Sequence, residues 1–127
     1  MPQALKNNRN DCQPFITKDG SEIREIMSPG NSRLQRQSLA EATLPAGSAT
    51  TEHYHDGIEE IYYFLSGKGR IRVGGNTLEV GPGDAVALLP GIPHKTWNTG
   101  QDPLVFLCVC VPRYTHEKTI LTEHEPG

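Results

Sequence analysis

The sequence predicts an all-β sandwich or barrel, and three observations carry that expectation. Thirteen Gly and ten Pro in 127 residues, about 18%, exceed the roughly 12% usual in globular chains. The apolar residues come in short runs, several of them alternating with polar ones at the two-residue period of a strand. Turn signals separate these runs at intervals of roughly eight to twelve residues, the spacing of small β domains.

The elements follow in order along the chain. Residues 1–33 hold few apolar side chains, and the first ten or so read as a mobile tail. Within DGSEIREIM, Ile23, Ile26 and Met27 stand at helical spacing, and Asp19 and Glu22 are three apart as in a weak capping box. One or two helical turns or an edge strand fit this stretch equally well. From residue 34 the period changes. SLAEATL (38–44) alternates loosely and ends at Pro45 and Gly47, TTEHYH (50–55) is β-branched and aromatic, and Asp56-Gly57 is a turn signal. EIYYFLSG (60–67) reads as a buried aromatic strand. RIRV (70–73) and NTLEV (76–80) flank Gly74-Gly75 as a hairpin. AVALL (85–89) reads as a buried strand, HKTWN (94–98) alternates again, and LVFLCVCV (104–111) reads as a strand buried on both faces. Seven or eight short strands are expected, in a barrel at 34–115 with an N-terminal tail and arm at 1–33 and a C-terminal extension at 116–127.

Composition excludes several functions. The longest apolar run, Leu104 to Val111, is far short of the ~20 residues that span a bilayer. MPQALKNNRND contains no apolar stretch of the signal-peptide kind. Net charge is −3 with no compensating Lys/Arg cluster, which argues against a nucleic-acid surface. Cys12, Cys108 and Cys110 are odd in number and form no CxxC pair, so a reducing, cytoplasmic setting is expected. Neither a phosphate-binding GxxxxGK[ST] loop nor a GxSxG elbow occurs.

The chemistry concentrates in histidine. His53 and His55 stand at i and i+2 of an expected strand and therefore share one face. If the next strand pairs with it, Glu60 lies level with them, and Tyr62 and Phe64 share the face of Glu60. His94 opens another strand after a Pro-Gly-x-Pro bend and shares its face with Thr96 and Asn98. Three imidazoles and a carboxylate without thiolate suit a divalent Fe, Mn, Ni, Cu, Co or Zn ion. Tyr62 is either a hydrogen-bond donor to a ligand oxygen or a packed aromatic. Cys108 and Cys110 share one face of the last strand, where core packing is the expected role. His116 lids the barrel or caps a loop, and His124 is expected in solvent. Arg70, Arg72 and Lys95 are expected on an exposed charged face.

These motifs resemble those of the cupins. Gly47, His53-Tyr54-His55, Glu60 and Gly67 match every element and spacing of the first cupin motif. Gly83, Pro90-Gly91, His94 and Asn98 match the second, except that Leu89 stands where the motif has proline. The resemblance covers residues 38–111 and implies a double-stranded β-helix, or jelly-roll barrel, with metal ligands His53, His55, Glu60 and His94. Its spacing to Gly67 selects Glu60 over Glu59, which is expected in solvent or in a rim salt bridge. The resemblance further implies one divalent metal (Fe, Mn, Ni or Zn), a small organic ligand in the barrel, and a homodimer formed through the polar N-terminal arm. Three function classes remain: a metal-dependent dioxygenase, towards which the three-His, one-Glu set leans; a non-redox sugar or keto-acid isomerase, epimerase or lyase; and a non-catalytic binding module. Glu60 is also a candidate base, if its carboxylate swings off the metal, and Tyr62 a candidate catalytic donor.

Overall fold

A computed structural model describes residues 4–123. In chain order these form a short 3-10 helix (Arg9–Asp11) and strands β1 (Phe15–Ile16), β2 (Glu22–Met27), β3 (Ser38–Leu44), β4 (His53–His55), β5 (Glu59–Ser66), β6 (Gly69–Val73), β7 (Asn76–Val80), β8 (Ala85–Leu88), β9 (His94–Asn98), β10 (Leu104–Val111) and β11 (Thr119–Leu121). Two antiparallel sheets result, one in the order β1-β2-β3-β10-β5-β8 and the other β11-β4-β9-β6-β7. They face each other as the two walls of a jelly-roll barrel.

The inward faces follow from strand alternation. Along β5, Glu60, Tyr62 and Phe64 point in, while Ile61, Tyr63 and Leu65 are 46%, 41% and 42% exposed. This corrects the reading of residues 60–67 as a buried strand: the outward apolar side chains face solvent. β10 likewise buries Leu104, Phe106, Cys108 and Cys110 and leaves Val105, Leu107 and Val109 half-buried and Val111 exposed, so it is not buried on both faces. In β8, Val86 and Leu88 point in and Ala85 and Ala87 out. Phe64, Phe106, Leu44, Ile71 and Leu104 fill one end of the interior. Each such side chain contributes about 1.5–3 kcal/mol by leaving water.

Turn chemistry sets the strand junctions. Gly74, at φ 57°, begins the two-residue loop between β6 and β7, whose strand twist favours a positive φ there. Gly67 has φ 90°, and a Cβ on it would lie 2.6 Å from the Pro103 carbonyl oxygen, so only glycine fits.

The arm resolves as strand, not helix. β2 pairs with β3 of the same chain, and β1 covers β2. The capping-box reading of Asp19 and Glu22 therefore fails. Residues 17–21 form a tight turn instead, with Gly20 at φ 92°. From Asn7 on, the expected mobile tail is docked: the Asn7 amide donates to Ile26 and Asn31 carbonyls at 3.1 Å, and Arg9 pairs with Glu41 at 2.8 Å. At the other end β11 pairs with β4, so the C-terminal extension adds a strand beside the histidines.

Candidate metal centre

His53 and His55 project inward from β4, and His94 projects inward from β9 as the cross-strand partner of His53. The ring centroids lie 4.3 Å (His53–His94), 5.0 Å (His53–His55) and 5.4 Å (His55–His94) apart. One nitrogen from each ring lies within 4.8 Å of the others. Glu60 does not come from a strand paired with β4, as the sequence reading supposed. It reaches across the interior from β5 of the opposite sheet. Its Oε1 stands 3.1 Å from His55 Nε2 and 4.0 Å from His94 Nε2. All four side chains are buried.

Hydrogen bonds behind the rings fix which nitrogens face the centre. His53 Nδ1 lies 2.7 Å from the Thr51 carbonyl, which can only accept, so Nδ1 carries a proton and, in the neutral ring, Nε2 keeps the lone pair. His55 Nδ1 lies 3.2 Å from the Thr119 hydroxyl, which itself donates to the Thr115 carbonyl and so accepts from the ring. Burial, reinforced by the neighbouring His53 and His55, holds the His94 pKa down at about 2, so this ring is neutral in the folded protein. In their neutral forms His53 and His55 therefore turn Nε2 lone pairs inward, and that of His55 faces the Glu60 carboxylate. His53 Nε2, Glu60 Oε1 and His94 Nδ1 are buried without a hydrogen-bond partner.

Two neighbours shape the centre further. Burial, then the adjacent Glu60 carboxylate, pushes the Cys110 thiol far above its ordinary range, so it stays protonated. It donates to Glu60 Oε2 at 3.2 Å, which leaves Oε1 turned to the imidazoles. Burial and Glu60 also push the Tyr62 phenol well up, and its hydroxyl lies 3.3 Å from His94 Nε2.

Sequence reasoning missed Asp19. Its Oδ2 lies 3.4 Å from His53 Nε2, and the residue is 8% exposed. The Asp-Gly-Ser turn signal was legible; its approach to His53 depends on packing of the arm across the barrel mouth. Other candidates stand aside. Thr96 and Asn98 are buried on the His94 face, but the Asn98 amide holds the Leu44 and Asp102 carbonyls at 2.9 and 2.8 Å. Cys108 packs in the apolar cluster. His116 is exposed and caps a loop through its carbonyl, and Glu59 is exposed. Arg70 and Arg72 pair with Glu79 and Glu52 at 2.8 Å, and Lys95 pairs with Glu123, all away from the centre. His124 lies outside the described residues.

A cavity of about 40 Å³ adjoins the centre, bounded by His55, Glu60, Tyr62, Asp19, Phe106 and Tyr114 among others. It has room for roughly three water molecules. No Lys or Arg lines it among the described residues.

Comparison with known proteins agrees with this architecture. The cupin domain family matches residues 40–110. An uncharacterized protein of Methanocaldococcus jannaschii is 44% identical over 121 residues, covering 95% of this chain and 97% of its own. The oxalate-binding protein of Thermotoga maritima is 30% identical over 110 residues, covering 87% and 86% respectively. A solved Thermotoga maritima structure, described as a predicted oxalate decarboxylase, superposes with a TM-score of 0.74 at 28% identity, covering 85% of this chain and 99% of that one.

Proposed function

The chain belongs to the cupin domain family, and from that premise we propose that it holds one divalent transition metal on His53, His55, His94 and Glu60 and binds a small oxygen-donor organic molecule beside it. One observation carries this reading: buried acceptors face one another. The His55 Nε2 lone pair stands 3.1 Å from a Glu60 oxygen, an arrangement that repels unless a cation lies between them. Donors about 2.1 Å from one ion sit roughly 3.0 Å apart in octahedral and 3.4 Å apart in tetrahedral geometry. The 3.1 and 4.0 Å separations from Glu60 to His55 and His94 fit that range after small side-chain adjustments.

Bound there, the ion supplies Lewis acidity or, if redox-active, a centre for dioxygen. The residues supply the rest. Thr51 and Thr119 orient the rings, Cys110 aims Glu60, and the Tyr62 hydroxyl donates to an oxygen of the bound molecule. Phe106, Ala40 and Ala42 supply an apolar wall of the cavity. Its size favours a two- or three-carbon acid of the oxalate kind, consistent with the oxalate-binding relative. That no Lys or Arg among the described residues lines the cavity disfavours a phosphorylated sugar. The dioxygenase reading is second, and the apolar lining favours it. Should Glu60 leave the metal, it is the nearest base. The exposed Ile61, Tyr63 and Leu65 on the outer face of β5 suit a homodimer interface.

Elemental analysis of protein purified without added metal tests the centre. We expect a transition metal in the wild type and a loss of roughly tenfold or more in His53→Ala plus His94→Ala. A wild type that lacks metal and takes up none on titration with Mn, Fe, Co, Ni or Zn overturns the reading. Calorimetry with oxalate and an oxygen electrode on the Fe(II) form then separate binding from oxidation. Light scattering of the same sample reads the mass against twice 14.0 kDa.

A further inference from the structure

We propose that Asp19, carried on the turn between β1 and β2, is a further carboxylate ligand of the metal centre, making it three imidazoles and two carboxylates completed by the N-terminal arm. This rests on the metal reading above and adds a residue from outside both cupin motifs.

The two oxygens of Asp19 have different surroundings. Oδ1 accepts from the Thr17 hydroxyl at 2.7 Å, the Ser21 amide at 2.9 Å and the Ser21 hydroxyl at 2.6 Å. Those three donors satisfy everything the turn asks of an aspartate, and one oxygen suffices for them. Oδ2 is left over, and it points at His53 Nε2, 3.4 Å away. A proton of His53 is held on Nδ1 by the Thr51 carbonyl, so in the neutral ring Oδ2 meets a lone pair. His53 Nε2 is also one of the buried atoms without a hydrogen-bond partner. A carboxylate oxygen and an imidazole lone pair aimed at each other repeat the arrangement of Glu60 and His55 on the other flank of the cluster. The 3.4 Å separation matches two ligands sharing one ion.

The turn is also fastened to the groups that set the histidine tautomers. Thr51, whose carbonyl holds His53, donates its amide to the Asp19 carbonyl at 2.7 Å. Lys18 Nζ donates to the Thr119 carbonyl at 2.9 Å and to the His116 carbonyl at 3.1 Å, and the Thr119 hydroxyl holds His55. Thus the arm places Asp19 at the centre through the same backbone that orients two of the rings.

The test is Co(II) binding to Asp19→Asn, with Glu60→Gln and His53→Ala alongside. Asparagine keeps an oxygen for Thr17 and Ser21, so metal-free stability is expected to hold. Co(II) affinity is expected to fall roughly tenfold to a hundredfold, with a changed visible spectrum. If Asp19→Asn binds Co(II) with wild-type affinity and spectrum while His53→Ala loses it, the Asp19 proposal is overturned and the metal reading stands. If the wild type itself binds no Co(II), the metal reading fails first. Should the variant not fold, a crystal structure of the Co(II)-loaded wild type decides: an Asp19 oxygen within about 2.2 Å supports the proposal, and one beyond hydrogen-bonding distance overturns it.

Discussion

The two ends of the barrel interior treat Asn98 and the His53, Glu60 and His94 cluster differently. At one end Phe64, Phe106, Leu44, Ile71 and Leu104 pack together, and the nearby Asn98 has its amide on the Leu44 and Asp102 carbonyls and its oxygen on the Gly100 amide. At the other end His53, Glu60 and His94 each keep a buried polar atom without a partner. An unsatisfied buried polar group costs about 1–3 kcal/mol. The contrast separates the half of the interior that stabilises the fold from the half that is kept ready for a bound group. Both halves hang on the same strands: Phe64 and Glu60 alternate inward along β5, and Asn98 and His94 along β9.

The largest expected effect tests that division directly. Phe64→Ala should lower the metal-free unfolding free energy by about 3–5 kcal/mol. Glu60→Gln, equally buried on the same strand, should change it by about 1 kcal/mol or less, or raise it, because it removes a buried charge facing a lone pair. Urea denaturation of both variants in chelator measures the difference. A Glu60→Gln loss as large as that of Phe64→Ala would break the comparison, since the site would then be part of the stabilising core.

The next effect is pH dependence. His94 is held near 2 in the folded protein, against 6.5 for an ordinary histidine. Above pH 6.5 both states are neutral and this group contributes nothing. As pH falls below 6.5 the unfolded chain takes up a proton that the folded one refuses, so folded stability drops. The slope from this one group approaches 1.4 kcal/mol per pH unit. Between about pH 8 and pH 5 the metal-free wild type should therefore lose about 2 kcal/mol that His94→Gln does not lose. Parallel stability profiles for the two proteins would show that His94 is not held neutral by its surroundings.

How much of this was legible in the sequence differs between the same two halves. Side chains that share a face by strand alternation were readable: His53 with His55, Glu60 with Tyr62 and Phe64, and His94 with Thr96 and Asn98 all point as the two-residue period requires. What alternation cannot say is which strands are neighbours. Glu60 meets the histidines across the barrel and not along a hairpin, a fact of sheet order. The outward exposure of Ile61, Tyr63 and Leu65 was likewise hidden, because an apolar run looks the same whether one face or two is covered. Asp19 escaped for a related reason. Its stretch fits one or two helical turns or an edge strand equally, and only the packing of the arm over β4 brings it to His53.

The smallest expected effect divides two cysteines that the sequence could not tell apart. Cys108 and Cys110 point inward from β10 and are both buried, yet they fall on opposite sides of the boundary. Cys108 belongs to the apolar cluster, whereas Cys110 donates to Glu60 Oε2. Removing the Cys110 donor in Cys110→Ala should cost about 1 kcal/mol and let the carboxylate turn, weakening metal affinity several-fold. Cys110→Ser, which keeps a donor, should recover most of that affinity. Cys108→Ala should lose a similar amount of stability through lost packing and leave metal affinity unchanged. A titration comparing all three variants distinguishes a thiol that positions a ligand from one that only fills space. Equal affinities across the set would move Cys110 into the packing half and leave Glu60 held by its strand alone.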